Sequence, residues 1–120
     1  MDGFRQVFEA YGANYEITME RFLGKEEMYL KFLDLLFEDD TLSKLEVSLA
    51  LGDLPSAFEA AHTLKGVVGN MGLTPLYTAV CALVEPLRKK VEGDYQALLK
   101  AVQVEFCKAD ALRGKLKGSL

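Results

Sequence analysis

The sequence predicts an all-α fold: an antiparallel four-helix bundle with one or two short extra helices at the N-terminus. Three observations lead there. Long segments repeat their apolar residues at spacings of three and four, as a half-buried helix requires. Asn, Asp or Thr stands ahead of most of these segments and Gly behind, the residue types that start and stop helices. No window sustains the apolar–polar alternation of a strand or carries an Asn-Gly hairpin turn. A chain of 120 residues is read as a single domain spanning 1–120, long enough to bury one sizeable core.

The elements follow in order. Residues 2 to 12 place Phe4, Val7, Phe8 and Tyr11 on one face of a short helix that Gly12 stops. Asn14 is the N-cap of a second short helix carrying Ile17 and Met19 to Phe22, closed by Gly24. From Lys25 a strongly helical stretch sets Met28 or Tyr29, Phe32, Leu33, Leu36 and Phe37 on a broad apolar face. Glu38-Asp39-Asp40 then either interrupts this helix or rides its solvated side, and Asp40 or Thr41 caps a continuation through Leu42, Leu45, Leu49 and Leu51. Whether residues 25–51 make one bent helix or two stays open at this level.

Gly52 closes that segment, and Asp53 caps a helix running to about Met71, with Pro55 tolerated in its first turn. Gly72 suits a turn of positive φ, after which Thr74 and Pro75 serve as N-cap and first-turn proline of a helix to about Val91. Its inward face is Leu76, Val80, Leu83, Val84, Leu87 and Val91, with a kink expected at Pro86. Gly93 and Asp94 turn the chain into a last helix from Tyr95 through Leu98, Leu99, Val102, Phe106 and Ala109 toward Leu112. Residues from Gly114 to Leu120 are expected to fray.

Composition narrows the function classes. Half the residues are apolar and 27% are charged, an ordinary globular mixture. A formal net charge of −4 argues against nucleic acid, whose binders carry a basic face. No apolar run approaches the roughly 20 residues of a membrane span, and the N-terminal Met1-Asp2-Gly3-Phe4-Arg5 lacks the regions of a signal peptide, so a cytoplasmic location is expected. Cys81 and Cys107 form no Cys-x-x-Cys pair and one histidine cannot complete a zinc site, so both read as buried, reduced thiols.

That one histidine, His62, organises the rest. In the helix from Asp53, the residues Leu54, Ala57, Ala61, Leu64, Val68 and Met71 share the buried stripe. At about 100° per residue, His62 lies roughly 130° from the stripe's centre, with Lys65, Gly66 and Gly69 on its own flank. The imidazole therefore faces outward beside a cation and two bare positions. Glycine in a helix interior costs about 1 kcal/mol relative to alanine, so two of them there point to something that approaches closely. A lone histidine at the rim of an apolar stripe is by composition most often structural or idle; the lysine and glycines beside it argue for function.

Ala61-His62-Thr63-Leu64-Lys65-Gly66, followed by Gly69-Asn70-Met71-Gly72-Leu73, resembles the signature of histidine-containing phosphotransfer (HPt) domains, the intermediates of multistep phosphorelays. The motif covers about a dozen residues, and the helices around it fit the family's size and order. The resemblance implies that His62 is the phosphorylated residue and Lys65 the side chain that steadies the phosphoryl group. It also implies that Gly66 and Gly69 clear room for a partner, the receiver domain of a response regulator or hybrid kinase.

The chemistry is compatible. A neutral imidazole is a competent nucleophile near pH 7, and its phosphoramidate is labile enough to pass the group on. Lys65, one turn later, can reach a group on the imidazole and offset part of its charge; its bland reading is a solvated lysine. The chain has no phosphate-cradling glycine loop and no carboxylate cluster for Mg²⁺, so it is expected to be no enzyme and to need no cofactor, the Mg²⁺ sitting on the partner. Few ionisable side chains lie between Ala60 and Val84, which suggests an exposed apolar patch around His62 involving Phe58, Val67 and the 76–87 helix. Phe58 reads first as core and second as docking surface. The apolar stripes are used up within one bundle, so a monomer is expected. Two other readings stand beside the phosphocarrier: a helical adaptor that moves no phosphate, and the excised phosphoacceptor module of a larger kinase.

Overall fold

The computed structural model describes residues 3–120. Seven helices follow one another: α1 (Phe4–Tyr11), α2 (Tyr15–Glu20), α3 (Glu26–Glu38), α4 (Thr41–Ala50), α5 (Leu54–Asn70), α6 (Thr74–Lys89) and α7 (Tyr95–Gly118). No strand occurs among the described residues. The sequence starts the first helix at residue 2, which lies outside them. In space α5 packs against α4 and α6, α6 against α7, and α7 also against α1 and α3, giving a rod of 46 × 22 × 22 Å.

Caps read from the sequence do their work where a short polar side chain meets a free N–H. Asn14 accepts from Ile17 N, Asp53 from Ser56 N and Asp94 from Ala97 N. The α3–α4 question resolves as two helices. Asp39 leaves helical geometry (ψ 148°), and its carboxylate accepts from the backbone N–H and the hydroxyl of Thr41, which lowers its pKa. The acidic run thus interrupts the helix, and Asp39 rather than Asp40 or Thr41 supplies the capping atoms.

Other boundaries move by a turn or less. The second helix ends at Glu20, and residues 21 to 24 form a turn in which Gly24 takes φ 73°. Leu73, not Thr74, holds the N-cap position of α6, and its side chain is fully buried. Helix α6 continues through Pro86 and ends in a left-handed Lys90, so Val91 is left exposed rather than inward. The last helix extends past Leu112, toward which the sequence traced it. Helix α7 runs to Gly118 because Leu112 and Leu116 remain buried and because Arg113 and Lys117 both grip Asp34 of α3, at 3.0 and 2.7 Å.

The core is continuous along the rod, and its upper part is aromatic. Tyr29 of α3 is fully buried, with Phe4, Phe8 and Phe22 edge-on to it at 6.2, 5.4 and 5.2 Å. Its hydroxyl donates to the Met71 carbonyl at 2.7 Å, tying α3 to the end of α5. The apolar face of α3 is rotated from the one expected: Tyr29, Leu30, Leu33 and Leu36 are buried, whereas Phe32 is 48% exposed. Neither cysteine is buried as expected, Cys81 being half-buried and Cys107 exposed; both are free.

Candidate functional site

The site is built on α5. Its buried stripe of Ala57, Ala61, Leu64 and Val68 faces α4 and α6, leaving His62 exposed on the outer flank. Both ends of the helix are tied. The Asp53 carboxylate accepts from Ser56 Oγ at 2.7 Å and Ser56 N at 3.2 Å, and these bonds hold it below the usual carboxylate range. At the other end, Arg21 Nη1 donates to the Gly69 and Asn70 carbonyls at 3.1 and 3.0 Å, adding to the bond Gly69 accepts from Gly72 N and serving the terminal Asn70 carbonyl.

His62 leans back toward the preceding turn, as helical side chains do. Its ring stacks on Phe58 with centroids 5.6 Å apart and planes 31° from parallel. The Arg88 guanidinium of α6 lies 5.6 Å from the same Phe58 ring. Phe58 is half-buried and packed against the core, in line with its first reading as core, and its ring adjoins the imidazole. Lys65, three residues on, is half-buried and enters no ion pair among the described residues.

The two glycines separate. A Cβ on Gly66 would meet nothing within 4 Å, so the bare surface there opens to solvent. A Cβ on Gly69 would stand 3.0 Å from Tyr77 Cε2 and 3.1 Å from Cδ2. The close approach that Gly69 permits is with the Tyr77 ring of α6, inside the molecule.

Beside His62 an open cavity of about 370 Å³ is lined by Arg21, His62, Lys65, Gly66, Gly69, Asn70 and Tyr77. A second of about 300 Å³ adjoins it, sharing Arg21, Gly69 and Tyr77 and reaching Gly72, Leu73 and Thr74. Neither has a carboxylate in its wall. The surface is thus cationic and polar rather than the apolar patch expected, for among the large apolar side chains of α5 and α6 only Val67 is exposed. Sequence reasoning missed Arg21 and Arg88, and took Asn70 and Tyr77 only as members of the motif and of the 76–87 helix. Arg21 is 48 residues from the carbonyl it caps, and no local pattern announces such a contact.

No group of three or more metal-ligating side chains occurs among the described residues, and no helix there is long and apolar enough to cross a membrane. No curated protein and no solved structure matches the chain. The family model described as the Hpt domain does match, over residues 27–113, which takes in α4 to α6 entire and most of α3 and α7. Covering well over half of the 120 residues, that match makes the chain a member of the Hpt domain family, the phosphotransfer proteins of two-component phosphorelays.

Proposed function

We propose that this protein is a phosphocarrier in which His62 takes a phosphoryl group from the aspartyl phosphate of a receiver domain and passes it to the aspartate of another. In the forward step the unprotonated imidazole nitrogen forms an N–P bond. The acyl-phosphate P–O bond breaks, the aspartate leaves as carboxylate, and the ring sheds its other proton to water. The receiver supplies the Mg²⁺, and this chain acts as carrier rather than kinase. Lys65 offsets charge on the bound phosphoryl group, and Phe58 fixes the plane of the imidazole so that one edge meets the donor.

The observation that carries this reading is the exposed His62, propped on Phe58, opening on a groove that has cations and no carboxylate in its wall. The helices α3–α4, α5, α6 and α7 read as an antiparallel four-helix bundle with α1 and α2 added at one end. Support comes from the three-residue connections at 51–53 and 71–73, across which α4 packs against α5 and α5 against α6. We read it as a monomer, checked by sedimentation across a concentration series. The deciding experiment incubates the chain and its His62→Gln variant with a radiolabelled phospho-receiver and Mg²⁺. Acid-labile, base-stable label on the wild type alone is expected; label on both, or on neither, refutes the assignment.

A further inference from the structure

We propose that Arg21 is a docking cation, and that the groove from His62 to the end of α5 recognises the acidic, metal-holding rim of the partner's phosphorylated site. This rests on the phosphocarrier reading of His62. The chain as a whole is acidic, 18 carboxylates against 14 Lys and Arg. Six of those cations, Arg5, Lys44, Arg88, Lys108, Arg113 and Lys117, pair with carboxylates of the chain itself. Of the eight that form no ion pair among the described residues, Arg21 and Lys65 line the groove that also contains His62.

Arg21 is held in a particular way. Nη1 is committed to the Gly69 and Asn70 carbonyls, while Nη2 and Nε make no hydrogen bond among the described residues. Arg21 is exposed, so anchoring one nitrogen restrains the guanidinium while its other donors stay uncommitted, and a carboxylate can dock with less loss of side-chain entropy. Gly69 lies seven residues beyond His62, about 10 Å along the helix at 1.5 Å per residue. From there the guanidinium does not touch a phosphoryl group on the imidazole. Its place is at the far end of the contact, over the partner.

The partner's chemistry follows from its task. A site that holds Mg²⁺ beside a phosphorylated aspartate does so with carboxylates, and its rim is therefore acidic. On a net-acidic carrier such a rim is favoured where unpaired cations lie, and Arg21 and Lys65 are the two that border His62 in one groove, so that groove both steers the encounter and fixes its register. Arg21 also lies outside residues 27–113, the stretch that follows the family pattern.

The test uses the full chain and three variants, Arg21→Lys, Arg21→Gln and Arg21→Glu. Each is labelled from a phospho-receiver with Mg²⁺ and, separately, from phosphoramidate, a donor with no protein surface. In the second reaction the imidazole forms the N–P bond, the donor's P–N bond breaks, and ammonia leaves with the proton the ring sheds. The readout is the ratio of the two second-order rate constants. It is expected to fall about tenfold in Arg21→Glu, several-fold in Arg21→Gln and less than twofold in Arg21→Lys. The wild-type ratio itself is expected to fall as salt rises from about 50 to about 500 mM, because exposed charges are then screened. This second measurement needs no variant to fold. A ratio unchanged in Arg21→Glu, one as low in Arg21→Lys as in Arg21→Glu, or a salt-independent wild-type ratio overturns the inference. Wild type labelled by neither donor overturns the phosphocarrier reading, and this inference with it.

Discussion

Gly66 and Gly69 are three residues apart on the same flank of α5, yet substitutions at the two should move stability in opposite directions. Alanine at Gly66 adds a Cβ into open space, where nothing lies within 4 Å. It gains the helix propensity that glycine forgoes, about 1 kcal/mol. Leucine at Gly69 gains slightly less from propensity but starts with a Cβ 3.0 Å from the Tyr77 ring, and three more carbons follow. Tyr77 is half-buried and must leave its seat; overpacking of this kind costs about 1 to 3 kcal/mol, for a net loss of up to about 2. For a chain of this size each kcal/mol is worth about 3 to 6 °C in Tm. Thermal melts should therefore rise a few degrees for Gly66→Ala and fall by up to about 10 °C for Gly69→Leu. Transfer from a phospho-receiver, measured on the same preparations, should slow in Gly66→Ala despite the higher melt, since its methyl stands where the partner approaches. Equal melting shifts of the same sign would refute the packing role of Gly69. A raised melt with unaltered transfer would refute the docking role of Gly66.

Other consequences can be checked independently. His62→Gln should melt within about 0.5 kcal/mol of the wild type, as an exposed side chain unneeded by the core predicts, and calorimetry showing a larger loss would make the histidine structural. Lys65→Ala should shorten the lifetime of the phosphorylated protein several-fold without abolishing labelling, since one charge-assisted contact is lost; an unchanged lifetime would leave Lys65 a solvated lysine. Lys117 and Arg113 hold the Asp34 carboxyl below its usual pKa, so this contribution to stability is complete above about pH 4, the range of an unfolded aspartate, and is lost as pH falls below it. Chemical denaturation from pH 6 to pH 2.5 should show a shallower acid decline in Asp34→Asn than in the wild type. Burial pushes the Tyr11 phenol up to about 12 and raises Tyr29 further. Both contributions are present below about pH 10 and lost above it. An ultraviolet titration should show at least two of the five tyrosines ionising only as the protein unfolds in alkali.

How far the sequence could be read depended on the range of the interaction involved. Caps act within three residues, so Asn14, Asp53 and Asp94 could be named as caps in advance. Helical period fixed the buried stripe of α5 and with it the outward direction of His62. Where the deciding contact was distant, reading failed. The α3 face was displaced because Met28, Tyr29, Phe32, Leu33, Leu36 and Phe37 together exceed one face, and only the Phe4–Phe8–Phe22 cluster selects Tyr29 for the centre. The end of α7 depends on an acceptor in α3, Asp34, 79 residues from Arg113. Gly69 lies on the flank expected and borders the groove, but that the Tyr77 ring stands beside it was not legible, since periodicity gives direction and not which residue stands there.

The same separation of near and far bears on why the site holds so few fixed groups. A carrier must bind its phosphoryl group in both directions of transfer, and binding energy spent uniformly on the phosphorylated state would trap it rather than speed its departure. Next to His62, Lys65 sits on a flexible stem without an ion pair among the described residues, while Arg88 is engaged with Phe58 and Glu85. The firmly anchored cation, Arg21, is placed about two turns away at the end of α5. Rigidity is thus concentrated in the helix, capped at both ends and backed by a continuous core. On the proposed reading, the contacts strongest in the transition state would come from the receiver and the Mg²⁺ proposed for it, and would vanish on dissociation. Moving a fixed guanidinium to the histidine's neighbourhood, for instance by Gly66→Arg, should lengthen the life of the phosphorylated protein and slow its discharge to a receiver. A variant that gains lifetime and discharges faster would show that the sparse site has some other cause.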